Sequence, residues 1–326
     1  LCALRPKFLR YHAGDAQTLR ELPPKHLHED IMHLSTHNWM RAEPLEVTLR
    51  RIKRLGFESI EISGEPKQYD TKTSRALLKQ HGIRCWGAVT LTLGERNLAA
   101  SNEAQRAASV AYVKSVITMV HELEGTECTI VPATVGKVIP DGTPEEEWKW
   151  VVDGLKEVYA HAQKCGVKMA IEPLNRFETY FLNRADQALR LAEDVGPDCG
   201  VCLDVFHMNI EEADMHAAIR KVGKRLADVH VAENNRLAPG MGSIDWKKFV
   251  TTLREVGYQG ALTMEAVAPI DRTPVCPWPN QVEKNPVDIS PEQLKFIQDH
   301  GSSLLSEEYY TMLYEVASKT LLPLVR

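Results

Sequence analysis

The sequence predicts an α/β fold, a (β/α)8 (TIM) barrel with an N-terminal arm and a C-terminal helical extension. Three observations carry this. From about residue 31, short apolar runs alternate with longer segments of helical periodicity, and eight such pairs fit into roughly 240 residues. The apolar runs lack polar alternation, as strands buried on both faces must. No G-x-G-x-x-G follows the first run, so a doubly wound dinucleotide-binding sheet has no support.

In order, IMHLSTHNW reads as the first strand and PLEVTLRRIKRLGF as its helix, with apolar residues at helical spacing. SIEISG precedes TKTSRALLKQHG, a helix expected to end at Gly82, where a left-handed cap suits glycine. IRCWGAVT leads through a loop to the long helix in NEAQRAASVAYVKSVITMVHELEG. TECTIVPA precedes PEEEWKWVVDGLKEVYAHAQKCG, whose acidic first turn and terminal Lys164 complement the helix dipole. VKMAIEPLN, CGVCLDVFHMNI, LADVHVAENNR and ALTMEAV supply strands five to eight, and NRADQALRLAEDVG, MHAAIRKVGKR and DWKKFVTTLREVGY lie between them. Helices of the C-terminal region close the set.

The expected organisation is an arm over 1–30, a barrel over 31–267 and, over 268–326, a Pro-rich loop with two helix-like segments covering the barrel. Prolines in the loop favour an ordered cover, because they reduce the entropy lost on fixing it. With 326 residues and 44% hydrophobic content, the chain can bury one large core. A formal charge of −5, from 39 basic and 44 acidic residues, argues against nucleic acid or an anionic membrane as partner. No apolar run reaches membrane-span length, and the start lacks both an initiator Met and a secretory pattern. The seven cysteines are scattered, and Cys199 and Cys202 lack the second pair that a zinc site needs. Reduced core thiols and a cytoplasmic protein are expected.

Four residues give the barrel its expected chemistry. Glu172, Asp204, His230 and Glu265 fall where strands five to eight give way to polar sequence, at the face where such barrels carry their sites. Each alone has a plain structural reading: a rim salt bridge, a helix cap or a satisfied imidazole. Together they read as a divalent-metal site, and three carboxylates with one imidazole favour Mn²⁺, Mg²⁺ or Co²⁺. A metal chelating a hydroxyl and the neighbouring carbonyl acidifies the C–H between them and stabilises an enediolate. Glu172 and Glu265 are then the candidate acid and base. Glu178, His207 and Arg236 are placed to hold substrate hydroxyls from loops over the same rim.

EPLNRFE, LDVFHMNIEE, HVAENNRLAPGMGSIDW and the closing MEAV resemble the sugar isomerase/epimerase group with a xylose-isomerase-like barrel, and within it the D-tagatose and D-psicose (allulose) 3-epimerases. The resemblance spans about residues 31 to 267. It implies metal binding by Glu172, Asp204, His230 and Glu265, acid/base roles for the two glutamates, and substrate contacts from Glu178, His207 and Arg236. Strand four continues as TIVPATVGK without an aromatic-rich loop, and Ser243 stands where a His is common in the group. The long C-terminal extension is more similar to catalytic subunits of C-glycoside deglycosidases. Those eliminate an aglycone from a 3-oxo-glycoside and work with a small second subunit.

The expected substrate is therefore a keto-sugar to be epimerised or isomerised, or an oxidised glycoside (or keto-polyol) to undergo β-elimination. Elimination needs a further base, for which His37 and Lys137 are the candidates. A DNA-repair endonuclease would require more His and Asp ligands and a basic face, and a non-catalytic scaffold subunit would leave the paired glutamates idle. A homo-oligomer is expected, with a small second subunit as the alternative assembly.

Overall fold

The structure, a computed structural model, describes residues 32–283, 291, 294–295, 297 and 304–326. The arm expected over 1–30 and most of the helix expected around 291–301 lie outside the described residues.

Eight parallel strands form one sheet in the order β1-β8-β7-β6-β5-β4-β3-β2. They are β1 His33–Thr36, β2 Ser59–Ser63, β3 Arg84–Val89, β4 Glu127–Ile130, β5 Lys168–Ile171, β6 Gly200–Asp204, β7 Leu226–Val231 and β8 Ala261–Met264. The sheet closes where Glu58 N donates to Leu34 O at 2.9 Å and His37 bridges Glu61 in parallel. The fold is the (β/α)8 barrel that the sequence predicts.

The helices are α1 Leu45–Arg54, α2 Thr71–His81, α3 Glu103–Glu122, α4 Pro144–Cys165, α5 Ala185–Val195, α6 Val205–Glu211, α7 Met215–Val222, α8 Trp246–Glu255 and α9 Glu307–Val325. Their ends follow local chemistry. Asp70 caps α2 and Asn102 caps α3, Thr143 and Glu146 form a capping box on α4, and α2 ends on Gly82 at φ 60°. No helix among the described residues is long and apolar enough to cross a membrane.

One element departs from expectation. The run CGVCLDVFHMNI stops being a strand at Asp204, whose Oδ1 accepts from Phe206 N at 2.6 Å and so starts α6. A side-chain cap there outweighs the β preference of Val205 and Phe206. The C-terminal helix, expected to close the set of barrel helices, lies in the outer ring against β1, α1 and α8. Tyr314 OH meets Thr36 Oγ1 at 2.8 Å, Ser318 Oγ donates to Leu55 O at 2.7 Å, and Arg254 reaches Leu324 O. Its buried face of Tyr310, Leu313, Tyr314, Ala317 and Leu321 selects this place, since only the apolar wall can pair with it. The described part of the Pro-rich stretch rests on the first turn of α9, with Trp278 edge-on to Tyr309 at 5.7 Å.

Candidate metal centre and cavity

The barrel brings the four rim residues together. Asp204 and His230 are register partners across β6 and β7, while Glu172 and Glu265 each follow the last residue of their strands. Backbone bonds fix those two positions: Glu172 N to Ile130 O at 3.0 Å, and Glu265 N to Val231 O at 3.1 Å. One donor atom from each of the four lies within 4.8 Å of all the others, and all four side chains are buried.

His230 Nδ1 lies 3.0 Å from both Glu172 Oε1 and Glu265 Oε2. Arg236 completes the group, its Nη1 donating to Asp204 Oδ2 at 2.5 Å and its Nη2 to Glu265 Oε1 at 2.8 Å. Arg236 has a left-handed backbone, φ 62°, in the loop after β7. The fully buried Glu233 organises that loop by accepting from Gly240 N at 2.7 Å, Ile244 N at 3.1 Å and Trp246 Nε1 at 2.7 Å.

The two glutamates are driven apart electrostatically. Burial raises the pKa of Glu172, against the pull of His230. Burial also pushes Glu265 upward, but Arg236, His230 and His37 reverse this and hold it well below the ordinary value. Burial depresses His230, yet neighbouring Cys202, Glu172 and Glu61 raise it well above its usual value.

The residues fit a hard divalent cation. Three carboxylates and one imidazole nitrogen converge on one point, where the cation in contact with two of the carboxylates is Arg236. Such crowding of buried negative charge requires compensation.

Beneath the rim lies a polar interior that strand reasoning missed. Glu61, Glu127 and Asp228 are fully buried with donor atoms within 4.8 Å of one another. Asp228 accepts from Trp86 Nε1 at 2.9 Å and from Thr129 Oγ1 at 3.2 Å. His230 Nε2 is 3.1 Å from Asp228 Oδ2 and 3.4 Å from Glu61 Oε2, without hydrogen-bond alignment to either. Burial, reinforced by Asp228, raises the pKa of both Glu61 and Glu127. Cys202, expected to be inert core, points into this interior near Glu172 and His230, whereas Cys199 is plain core. The six cysteines among the described residues are free thiols.

Above the rim opens a cavity of about 480 Å³. Glu172, Glu178, His207, Arg236 and Glu265 line one part of it, so all three residues expected to hold substrate are present. Much of the remaining lining is apolar, with Trp39, Leu91, Leu93, Val131, Val135 and Leu174. The Thr90 and Thr92 hydroxyls in the lining are engaged with the Val131 backbone at 2.9 and 2.8 Å. Of the two further base candidates, His37 is fully buried with Nε2 3.5 Å from Glu265 Oε2. Lys137 is tied to Asp141 at 2.8 Å and does not line the cavity.

The family model for xylose isomerase-like TIM barrels matches residues 49–300. The D-psicose 3-epimerase of Ruminiclostridium cellulolyticum is 31% identical over 230 residues, covering 67% of this chain and 76% of that protein. The 3-dehydro-D-guloside 4-epimerase of Escherichia coli is 28% identical over 226 residues, covering 66% and 84%. A crystal structure of D-psicose 3-epimerase in the presence of D-fructose superposes with a TM-score of 0.71 at 25% identity, covering 89% of this chain and 97% of that one. An L-ribulose 3-epimerase structure gives 0.75 at 24% identity, covering 90% and 95%, a likeness of fold.

Proposed function

Because this chain belongs to the xylose isomerase-like TIM barrel family and is homologous to ketose 3-epimerases, we propose that it removes a proton next to the carbonyl of a keto-sugar and returns it to the opposite face. The observation that carries this is the convergence of Glu172, Asp204, His230 and Glu265 under a cavity open to a ligand. These four would hold Mn²⁺, Mg²⁺ or Co²⁺, which when bound polarises the carbonyl and acidifies the neighbouring C–H. Glu172, its pKa raised by burial, and Glu265, held low beside Arg236, are the proton-transferring pair. Glu178, His207 and Arg236 orient the sugar oxygens, and the apolar lining keeps water from the reacting carbon.

The test is incubation of the Mn²⁺-loaded protein with D-fructose and D-tagatose in D₂O. Deuterium at C3 together with the C3 epimer is expected, and Glu172→Gln and Glu265→Gln should each lose both. Failure to exchange a proton on any keto-sugar would remove this reading.

A second reading has its own support. Apart from Glu172, Glu178, His207, Arg236 and Glu265 the cavity lining offers a sugar few polar partners, so a free ketohexose would leave some of its hydroxyls poorly paired. A keto-sugar carrying an apolar substituent suits that lining better, and Phe177, Val138 and Ile139 expose further apolar surface on the loops after β5 and β4. With such an oxidised glycoside the same deprotonation leads to elimination. Release of an aglycone without an epimer separates the two outcomes.

A further inference from the structure

We propose that Asn175 is a positioning residue that holds His207 as its Nε2–H tautomer, so that the imidazole meets the ligand as a hydrogen-bond donor. The part of this that concerns a sugar oxygen rests on the function proposed above; the tautomer itself does not.

Asn175 is buried in the loop after β5. Its Oδ1 accepts from Phe177 N at 2.9 Å, which fixes which end of the amide is oxygen. Nδ2 therefore faces the other way, donating to Glu178 Oε1 at 2.8 Å and to His207 Nδ1 at 2.8 Å. The backbone N–H of Asn175 points at the same ring nitrogen from 3.3 Å. Two N–H groups converging on Nδ1 require it to carry a lone pair, so in the neutral ring the proton sits on Nε2. Among the described residues Nε2 hydrogen-bonds to no protein atom, and the ring lines the cavity beside Glu172 and Arg236.

The location of His207 is equally determined. It lies in the first turn of α6, which Asp204 caps, so a rim carboxylate sets the helix that presents the ring. A donor at His207 beside the acceptor Glu178 gives the cavity a fixed polarity. It accepts a carbonyl or hydroxyl oxygen at the ring and a hydroxyl hydrogen at the carboxylate. It also bars Nε2 from acting as a base, leaving proton transfer to the paired glutamates.

The test is direct observation of the ring by long-range ¹H–¹⁵N NMR on the Mg²⁺-loaded, ¹⁵N-histidine-labelled protein, with His207 assigned by its loss in His207→Asn. An unprotonated Nδ1 and protonated Nε2 are expected. Asn175→Asp keeps an oxygen for Phe177 N but sets a second one against Nδ1. It should move the proton to Nδ1 and lower kcat/KM on the keto-sugar substrate by roughly 10- to 100-fold, with Mg²⁺ affinity unchanged. A protonated Nδ1 in the wild type overturns the assignment whatever the enzyme does, and so does an Asn175→Asp ring with unaltered tautomer. The melting temperature of that variant shows whether it has folded; if it has not, the wild-type spectrum decides. The assigned tautomer in a protein inert toward every keto-sugar would sink the proposed function and leave the assignment standing.

Discussion

Arg236 Nη1 meets Asp204 Oδ2 at 2.5 Å, at the point where the donor atoms for a cation converge. The guanidinium thus supplies positive charge to the rim, and a bound cation competes for the same carboxylates. Arg236→Met should therefore destabilise the chelated protein by about 3 kcal/mol, the cost of stranding a buried charge, and the metal-loaded protein by clearly less. Thermal melts in EDTA and in MnCl₂ measure both. Equal losses would show that Arg236 and the cation do not share the carboxylates.

Metal should stabilise the fold by linkage. At a hundredfold excess over its Kd, Mn²⁺ should add about 2.7 kcal/mol to the unfolding free energy, seen as a rise in Tm. Asp204→Asn is the informative variant, because an asparagine still caps α6. Its amide then faces Arg236 Nη1 in place of a carboxylate oxygen, so the metal-free Tm should fall as well, and most of the Mn²⁺ shift should be lost.

Glu211 anchors the loop after β5 to α6 by accepting from Arg176 N at 2.7 Å, Nε at 2.9 Å and Nη2 at 2.9 Å. The Arg176 hydrogen bonds hold its pKa below the ordinary 4.5, with burial working against them. A carboxyl depressed in the folded state contributes stability above its unfolded pKa and loses it as pH falls through the folded one. Glu211→Gln should thus melt below the wild type at pH 7, and the gap should close as the pH falls below about 4.5. A gap that stays constant down to pH 3 would refute the ion-pair origin.

Gly87 is paired with Glu127 across β3 and β4, and a β-carbon there would collide with the Glu127 carbonyl and carboxylate oxygens. Gly87→Ala must shift backbone or expel the Glu127 side chain from the interior. A loss of about 3 kcal/mol or more is expected in chemical denaturation, at the upper end for overpacking. A loss under 1 kcal/mol would mean that the interior is looser than this packing implies.

The sequence exposes the rim better than what lies beneath it. Glu172, Asp204, His230 and Glu265 are legible because each marks the end of an apolar run, where a strand leaves the barrel. Glu61, Glu127 and Asp228 lie inside such runs, where polar residues read as interruptions of a core. One signal does exist: Asp228 and His230 are two apart, so on a strand they share a face. Asn175 and Glu233 work through backbone turns, and a loop sequence does not say which N–H a side chain will find. The start of α6 was hidden because Val205 and Phe206 favour a strand until Asp204 turns its carboxylate on their backbone.

The place of α9 has a consequence for synthesis. Chains fold from the N-terminus as they are made, but here the slot between α8 and α1 is filled by Glu307–Val325, which follow all eight strands. Until Tyr314 reaches Thr36 and Phe57, the first strand has a bare outer flank, and all eight strands exist without a sealed wall. The nascent barrel therefore waits for α9. A stop codon that removes α9 should yield a chain bound by chaperones instead of a shortened, folded protein, with all four rim residues encoded and no barrel to hold them.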